Sequence, residues 1–369
     1  HPRPQFATAH QRGRSVSDPN EAFSGTRPVS EAHAFDTQAL QAWLAKHLHD
    51  FKGPLSVEMF KGGQSNPTYK LITPEHSYVM RAKPGPVAKL LPSAHAIERE
   101  FKVMSALSQT RVPVARMLAL CEDESIIGRA FYIMEFVQGR VLWDQSLPGM
   151  TPDQRRIHYV ELNRVLALLH KAPYAQIGLA DYGKSGNYIE RQISRWSKQY
   201  QASITQPIDA MDRLIEWLPR NMPTSSKTDM TSIVHGDYRI DNVMYHPDRP
   251  QILAVLDWEL STLGHPLADF SYHCMAWHIP PGTFRGLGGV DLDSLGIPQE
   301  DEYIRMYCDQ TGWATPVDLK TDWNFYLAYN MFRIAAILQG IAKRVENGTA
   351  SSAQARASGA GARPMAELA

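Results

Sequence analysis

The stretch Ser232-Ile233-Val234-His235-Gly236-Asp237-Tyr238-Arg239-Ile240-Asp241-Asn242-Val243-Met244-Tyr245 sets one aspartate in a loop and an asparagine five residues later. A second apolar run, Ile252 to Leu256, then delivers another acid in Asp257-Trp258-Glu259. These are the groups that phosphoryl transfer from ATP requires. One carboxylate orients a hydroxyl, and an amide with a second carboxylate holds magnesium. His-Gly-Asp alone reads as a turn. Four residues between Asp237 and Asn242, then an apolar strand, then Asp257, make a combination that a plain turn does not explain.

Each residue of the stretch has a chemical reading. Asp237, on a rigid loop, can accept the proton of an attacking hydroxyl and aim its oxygen. Asn242 offers a neutral oxygen and Asp257 a charged one, which suits a hard cation such as Mg²⁺. Arg239, two residues after Asp237, stands where a cation could reach the transferring phosphoryl, or could be a surface arginine. His235 is expected to bond loop backbone rather than act as the base. Asp241 is expected to be solvated or a local cap. Glu259 is read as a loop salt bridge, with a water-mediated second magnesium as the other option. Asp269, in Gly264-His265-Pro266-Leu267-Ala268-Asp269, is expected to anchor the loop by hydrogen bonds.

Upstream, the region 50–137 is strand-rich with one helix. Strands are expected at Leu55 to Phe60, Thr68 to Ile72, Tyr78 to Arg81, Met117 to Glu122 and Phe131 to Phe136. Helices are expected from Asp36 and over about Ser93 to Leu107. Between the first two strands, Gly62 and Gly63 allow backbone amides to approach nucleotide phosphates, with Ser65 or Asn66 adding a side-chain donor. Arg81 or Lys83, two apart and able to share a face, would grip the phosphates; Arg81 continues the apolar run and is preferred. Its carboxylate partner should come from the following helix. At 100° per residue, Glu100 lies about 45° from the mean apolar direction and Glu98 well over 90° away, so Glu100 is chosen. Backbone near Glu135 to Val137 could hydrogen-bond adenine, with Met134 packing nearby.

After Gly139 the pattern turns helical. Thr151-Pro152-Asp153 is a helix start, with Thr as cap and Pro in the first turn. Ile189, Ile193, Trp196 and Tyr200 mark another helix, and a third runs from about Asp322 to Val345. The expected layout is a mobile arm over 1–30, a small lobe over 31–137, a large lobe over 138–347 and a flexible tail over 348–369. The fold class is α+β: two lobes, the first β-rich and the second helical.

Composition narrows the partners. Lys+Arg and Asp+Glu each number 38, so the formal charge is zero, which favours neither nucleic acid nor a membrane surface. Three cysteines far apart in sequence suggest neither a zinc site nor a disulfide framework and fit a reduced, cytoplasmic setting. Apolar runs fall short of the ~20 residues a membrane helix needs.

From about residue 35 to 345 the chain resembles the aminoglycoside phosphotransferase and choline kinase group. The likeness is carried by His235-Gly236-Asp237 through Asn242, by Asp257-Trp258-Glu259 and by Gly264 through Asp269. It implies a protein-kinase-like fold, ATP with Mg²⁺, and a small-molecule hydroxyl acceptor. More narrowly, Gly62-Gly63-Gln64-Ser65-Asn66-Pro67-Thr68-Tyr69, Leu90-Leu91-Pro92-Ser93-Ala94-His95 and Glu98-Arg99-Glu100 look like the kinase domain fused to some acyl-CoA dehydrogenases, which implies a hydroxyacyl acceptor. Arg81 departs from the lysine commoner at that place. Aminoglycosides are polycations, and the aromatic, Pro/Gly-rich segment 270–320 lacks the acidic run such substrates call for. A protein kinase would carry an Ala-Pro-Glu segment after Asp257, which is not seen. A non-catalytic nucleotide- or acyl-binding module is the reading from another class.

Overall fold

Alternation of side chains organises the small lobe. The computed structural model describes residues 25–61, 66–85, 96–228, 230–282, 285–313 and 316–369. Strands β1 (Thr26–Arg27), β2 (Ser56–Phe60), β3 (Thr68–Ile72), β4 (Ser77–Ala82), β5 (Met117–Cys121) and β6 (Phe131–Glu135) form one antiparallel sheet in the order β1-β2-β3-β4-β6-β5. On β4, Tyr78, Met80 and Ala82 point to one face and pack with Leu40, Trp43 and Leu44 of helix α1 (Thr37–His47). That helix is capped by Asp36, whose carboxylate accepts from Ala39 N at 3.0 Å. Arg81 therefore belongs to the opposite face, where Tyr132 packs with Ile97, Val103 and Met104 of helix α2 (Ile97–Leu107). Register puts Arg81 between Thr68 on β3 and Tyr132 on β6.

The large lobe contains α3 (Pro152–Lys171), α4 (Tyr188–Ala202), α5 (Asp209–Arg220), α6 (Pro266–Cys274), α7 (Leu292–Leu295), α8 (Glu300–Thr311) and α9 (Pro316–Glu346). Thr151 and Gln154 close a reciprocal capping box at the start of α3, with bonds of 3.2 and 2.9 Å. Ile189, Ile193, Trp196 and Tyr200 are the buried stripe of α4. Two short two-stranded sheets frame the decisive stretch. Strand β7 (Ser232–Val234) pairs with β10 (Thr262–Gly264), and β8 (Val243–Tyr245) pairs with β9 (Ile252–Val255). Residues 235–242 thus hang between two anchored strands.

Two expectations about the termini are corrected. The expected arm lies outside the described residues up to position 24, but Thr26–Arg27 pair with Met59 and Phe60 as an edge strand. The tail forms helices α10 (Ala353–Ala360) and α11 (Ala362–Leu368). Its small residues, read as a sign of fraying, serve close packing: a Cβ on Gly359 would lie 2.8 Å from Ala342 Cα on α9. Ala362, Met365 and Ala366 complete that contact by burial. Among the described residues no helix is long and apolar enough to cross a membrane.

Candidate active site

The loop carrying Asp237 is fastened from beneath. Asp269, on the first turn of α6, accepts from His235 N and Gly236 N at 2.9 Å each and from His170 Nε2 at 2.8 Å. His170 in turn bonds Tyr307 through Nδ1 at 2.7 Å. Burial pushes the Asp269 carboxyl up, but the hydrogen bond and charge supplied by His170 and the backbone N–H of His235 outweigh it and hold the group below the usual carboxylate range. His235 is fully buried and spends both ring nitrogens on backbone: Nε2 on Leu256 O at 2.7 Å, Nδ1 on Asp237 N at 3.1 Å. Gly236 sits at φ +88°, and a Cβ there would meet Leu260 Cβ and O at 2.9 Å. Only glycine fits this left-handed turn without strain.

Above that base the carboxylate of Asp237 is oriented by three groups. Asn242 Nδ2 donates to its Oδ2 at 3.1 Å and to its backbone oxygen at 2.8 Å. Tyr272 donates its hydroxyl to Oδ1. Arg239 Nε lies 3.2 Å from Oδ1. Because Asn242 uses its amide nitrogen here, its carbonyl oxygen is the end left for a cation. Leu256 N donates to the backbone oxygen of Asn242 at 2.8 Å, so Asp257 begins beside it. Asp257 has φ +56°, which turns its half-exposed carboxylate out of the β9 line. Two oxygen donors of this kind suit a magnesium that keeps waters and phosphate oxygens in its remaining positions. Among the described residues no group of three or more His, Cys, Asp or Glu is spaced to hold a metal by itself.

The small lobe meets this cluster through Arg81. Its Nε lies 2.8 Å from Glu100 Oε1, in a pair that is almost wholly buried. Glu100 also accepts from Tyr132 OH at 3.0 Å and Asn66 Nδ2 at 3.1 Å. The rest of the guanidinium faces the large lobe, 3.4 Å from Asp257 and 3.9 Å from Glu259. Burial opposes the charge on Arg81, but Glu100, Asp257 and Glu259 together raise its pKa above the ordinary arginine value. Burial pushes Glu100 upward, with Arg81 and the Tyr132 hydroxyl pulling it back. Lys83 pairs instead with Glu98, 3.5 Å away at a more open position.

Beside this pair, helix α2 reaches across the lobes. Arg99 Nη2 donates to Tyr182 O at 2.7 Å and Ser261 O at 3.4 Å, and its guanidinium lies over the Tyr182 ring at 4.2 Å. At the connector, Glu135 N donates to Arg116 O at 2.9 Å. The return bond from Arg116 N goes to the Glu135 carboxylate at 2.8 Å, not to its backbone carbonyl. That carbonyl is thereby spared from the β5 ladder at the position expected for adenine. Val137 follows, half-buried, two residues on.

Several expected residues are thus brought together: Arg81, Glu100, Asp237, Arg239, Asn242 and Asp257. Gly62, Gly63 and Ser65 lie outside the described residues. Asn66 needs correction: it is fully buried and braces Glu100, rather than standing exposed as a phosphate donor. Asp241 needs correction too. It is buried, not solvated, because Arg239 and Arg285 approach its Oδ2 at 3.4 and 3.3 Å. Glu259 pairs with Arg81, as the salt-bridge reading expected. Tyr272 and Arg333 escaped the sequence reading. Arg333 Nη2 donates to Gly236 O at 3.2 Å and covers the Tyr272 ring at 5.5 Å. An aromatic and a cation on helices carry no local signature; only the fold brings them to Asp237.

Residues 56–316 match the phosphotransferase enzyme family (APH). This chain belongs to that family. It is 47% identical over 347 residues to acyl-CoA dehydrogenase family member 10 of Mus musculus, covering 93% of this chain and 32% of that protein. It is 40% identical over 328 residues to family member 11 of Homo sapiens, covering 88% and 41%. The chain therefore spans a third to two fifths of these relatives. A crystal structure from Ralstonia eutropha JMP134, described provisionally as an aminoglycoside phosphotransferase, superposes with a TM-score of 0.83 at 62% identity, covering 91% of this chain and 97% of that one. Choline kinase from Cryptosporidium parvum shares the fold, with a TM-score of 0.59 at 14% identity over 90% of this chain and 96% of that one. The phosphotransferase is α+β and protein-kinase-like, with an antiparallel-sheet lobe and a helical lobe.

Proposed function

We propose that this phosphotransferase is an ATP- and Mg²⁺-dependent kinase acting on a hydroxyl of a small molecule, with hydroxyacyl-CoA thioesters as the acceptor class. One observation carries the reading. Arg81, paired with Glu100 in one lobe, lies 3.4 Å from Asp257 of the other, in the same cluster in which Asn242 orients Asp237. Cation, metal-binding oxygens and hydroxyl-orienting carboxylate then converge on one cleft.

In this reading the acceptor oxygen attacks the γ-phosphorus as its bond to the β–γ bridging oxygen breaks. Asp237 receives the hydroxyl proton and ADP departs. Arg81 steadies the nucleotide phosphates, Glu100 positions Arg81, and Arg239 stands beside the transferring group. Magnesium on Asn242 and Asp257 would offset the phosphate charge. Glu135 and Val137 backbone would hold adenine, while Gly62, Gly63 and Ser65 would cover the phosphates. Mammalian relatives carrying acyl-CoA dehydrogenase names support the acyl-CoA acceptor.

The test is ATP turnover against a panel of hydroxyacyl-CoAs, aminoglycosides, choline and a peptide, with Asp237→Ala as control. Phosphorylated hydroxyacyl-CoA, lost in the control, is expected. Turnover that persists in Asp237→Ala refutes the assigned role. ATP binding with no product from any acceptor identifies a binding module instead.

A further inference from the structure

The two carboxylate oxygens of Asp237 have unequal surroundings. Oδ2 accepts from Asn242 Nδ2 at 3.1 Å and, among the described residues, from nothing else. Oδ1 accepts from the Tyr272 hydroxyl, and Arg239 Nε stands 3.2 Å from it. Each carboxylate oxygen offers about two lone pairs. Oδ1 is covered by a hydrogen bond and a cation, while Oδ2 keeps a lone pair open in a side chain that is 28% exposed. That open site lies toward Asn242, whose own carbonyl oxygen is the end left for a metal. A hydroxyl aimed at a metal-bound phosphate would therefore meet Oδ2.

The two groups on Oδ1 differ in freedom. Arg239 makes a charge contact without a hydrogen bond from Nε, and its side chain is partly exposed, so an arriving phosphate can draw it away. Tyr272 is held in place. It is 8% exposed and lies on α6, three residues after the Asp269 that fastens the loop from beneath. Arg333 covers its ring at 5.5 Å and donates to Gly236 O at 3.2 Å, so one guanidinium grips both the tyrosine and the loop. Burial, with the Asp237 charge second, raises the phenol's pKa well above the ordinary tyrosine value. The hydroxyl thus stays a protonated donor at neutral pH. A carboxylate turns easily about χ2, a torsion with broad wells. Asn242 steadies one oxygen and Tyr272 the other.

We propose that Tyr272 is a positioning residue that makes the site choose an alcohol over water: its hydroxyl locks the plane of Asp237 so that Oδ2 alone receives a proton, and it keeps water off Oδ1. The inference rests on the kinase reading above and adds how ATP is spared from hydrolysis. In transfer, the acceptor oxygen bonds to the γ-phosphorus, its proton passes to Oδ2 and ADP leaves. In hydrolysis, water takes the acceptor's place and inorganic phosphate is the product. With Oδ1 uncovered and the carboxylate free to turn, either oxygen can orient a water, while the acceptor loses the one fixed partner its hydroxyl needs.

The experiment uses Tyr272→Phe, which removes the hydroxyl and keeps the ring under Arg333. Two rates are measured with ATP and Mg²⁺ in wild type and variant: transfer to the acceptor that gives product in the panel above, and ATP hydrolysis with no acceptor present. Transfer kcat should fall about 10- to 100-fold while KM for ATP and acceptor stays within about threefold. The ratio of hydrolysis to transfer should rise by about tenfold or more, because water gains what the acceptor loses. A tyrosine that only supports the fold would lower both rates together, and that result, or an unchanged ratio, overturns the proposal and leaves the kinase reading standing. A loss that falls on KM instead of kcat overturns it as well. Failure of wild type to phosphorylate any acceptor overturns the kinase reading, and this proposal with it.

Discussion

Removing the Glu100 carboxylate should destabilise the protein by an amount the geometry sets. In Glu100→Ala, Arg81 keeps its charge in a site where its side chain is 7% exposed, and Tyr132 and Asn66 lose an acceptor. Breaking a buried ion pair costs about 3–5 kcal/mol. Asp257 and Glu259 stay within 3.4 and 3.9 Å of Arg81, so the lower end, about 3 kcal/mol, is expected. At ~2.1 cal/mol/K per residue, unfolding entropy for the 369-residue chain is near 0.8 kcal/mol/K, so Tm should fall by about 4 °C. The companion variant Arg81→Met/Glu100→Leu removes both charges. It should regain at least half of the lost stability, because no buried charge is left exposed to an apolar wall. Its phosphotransfer should nevertheless remain at least 100-fold down. Calorimetry and turnover on the three proteins check this. A single variant within about 1 kcal/mol of wild type, or a double variant no more stable than the single, would show that the pair is not the buried, coupled element described.

Three further predictions address the surrounding framework. Gly236→Ala should cost about 1–2 kcal/mol in chemical denaturation and lower kcat, since φ +88° and the 2.9 Å approach of Leu260 both oppose a Cβ. Acid should destabilise the fold between pH 6.5 and about 4. Burial depresses His265 and His273 from 6.5 to about 4, so the unfolded chain takes up their protons first and stability falls by up to ~1.4 kcal/mol per pH unit per histidine. His265→Asn, which keeps an acceptor for Leu267 N, should flatten that slope in pH-dependent denaturation; an unaltered slope contradicts the assignment. Arg99→Gln should remove about 1.5–3 kcal/mol of charge-assisted bonding to Tyr182 O and Ser261 O and speed amide exchange throughout α2. Exchange in α2 unchanged from wild type contradicts it.

What the sequence could show depended on distance along the chain. The Asp237–Asn242 spacing, the apolar strand before Asp257 and the inward phase of Glu100 are local patterns, and the structure keeps them together. The apolar run that Arg81 continues likewise favoured it over Lys83, and Arg81 is the one that meets Asp257 while Lys83 pairs with Glu98. Tyr272 and Arg333 reach the loop from 35 and 97 residues away, and a tyrosine or arginine on a helix is ordinarily core edge or surface. Asp241 looked solvated because its partner Arg285 lies 44 residues downstream. Asn66 turned inward for the same kind of reason, its acceptor being 34 residues ahead on α2. The tail misled differently: alanine and glycine weaken an isolated helix pattern but allow backbones to approach closely, and only the presence of α9 decides between those outcomes.

Helix α2 links these pieces. Residues 99 and 100 are one step apart, about 100° around the helix, and they serve different lobes. Glu100 turns to Arg81 on the sheet, while Arg99 turns to Tyr182 and Ser261 in the large lobe. Ser261 stands four residues beyond Asp257, which itself faces Arg81. A closed circuit results: Arg81 to Glu100, along the helix to Arg99, across to the segment after Asp257, and back to Arg81. Protein kinases require both the cation–carboxylate pair and the metal-binding aspartate in place, and they control that by moving the helix. Here one helix carries both contacts, Glu100 to Arg81 within the small lobe and Arg99 to Tyr182 and Ser261 in the large one, so a shift of α2 would disturb the pair and the lobe contact together.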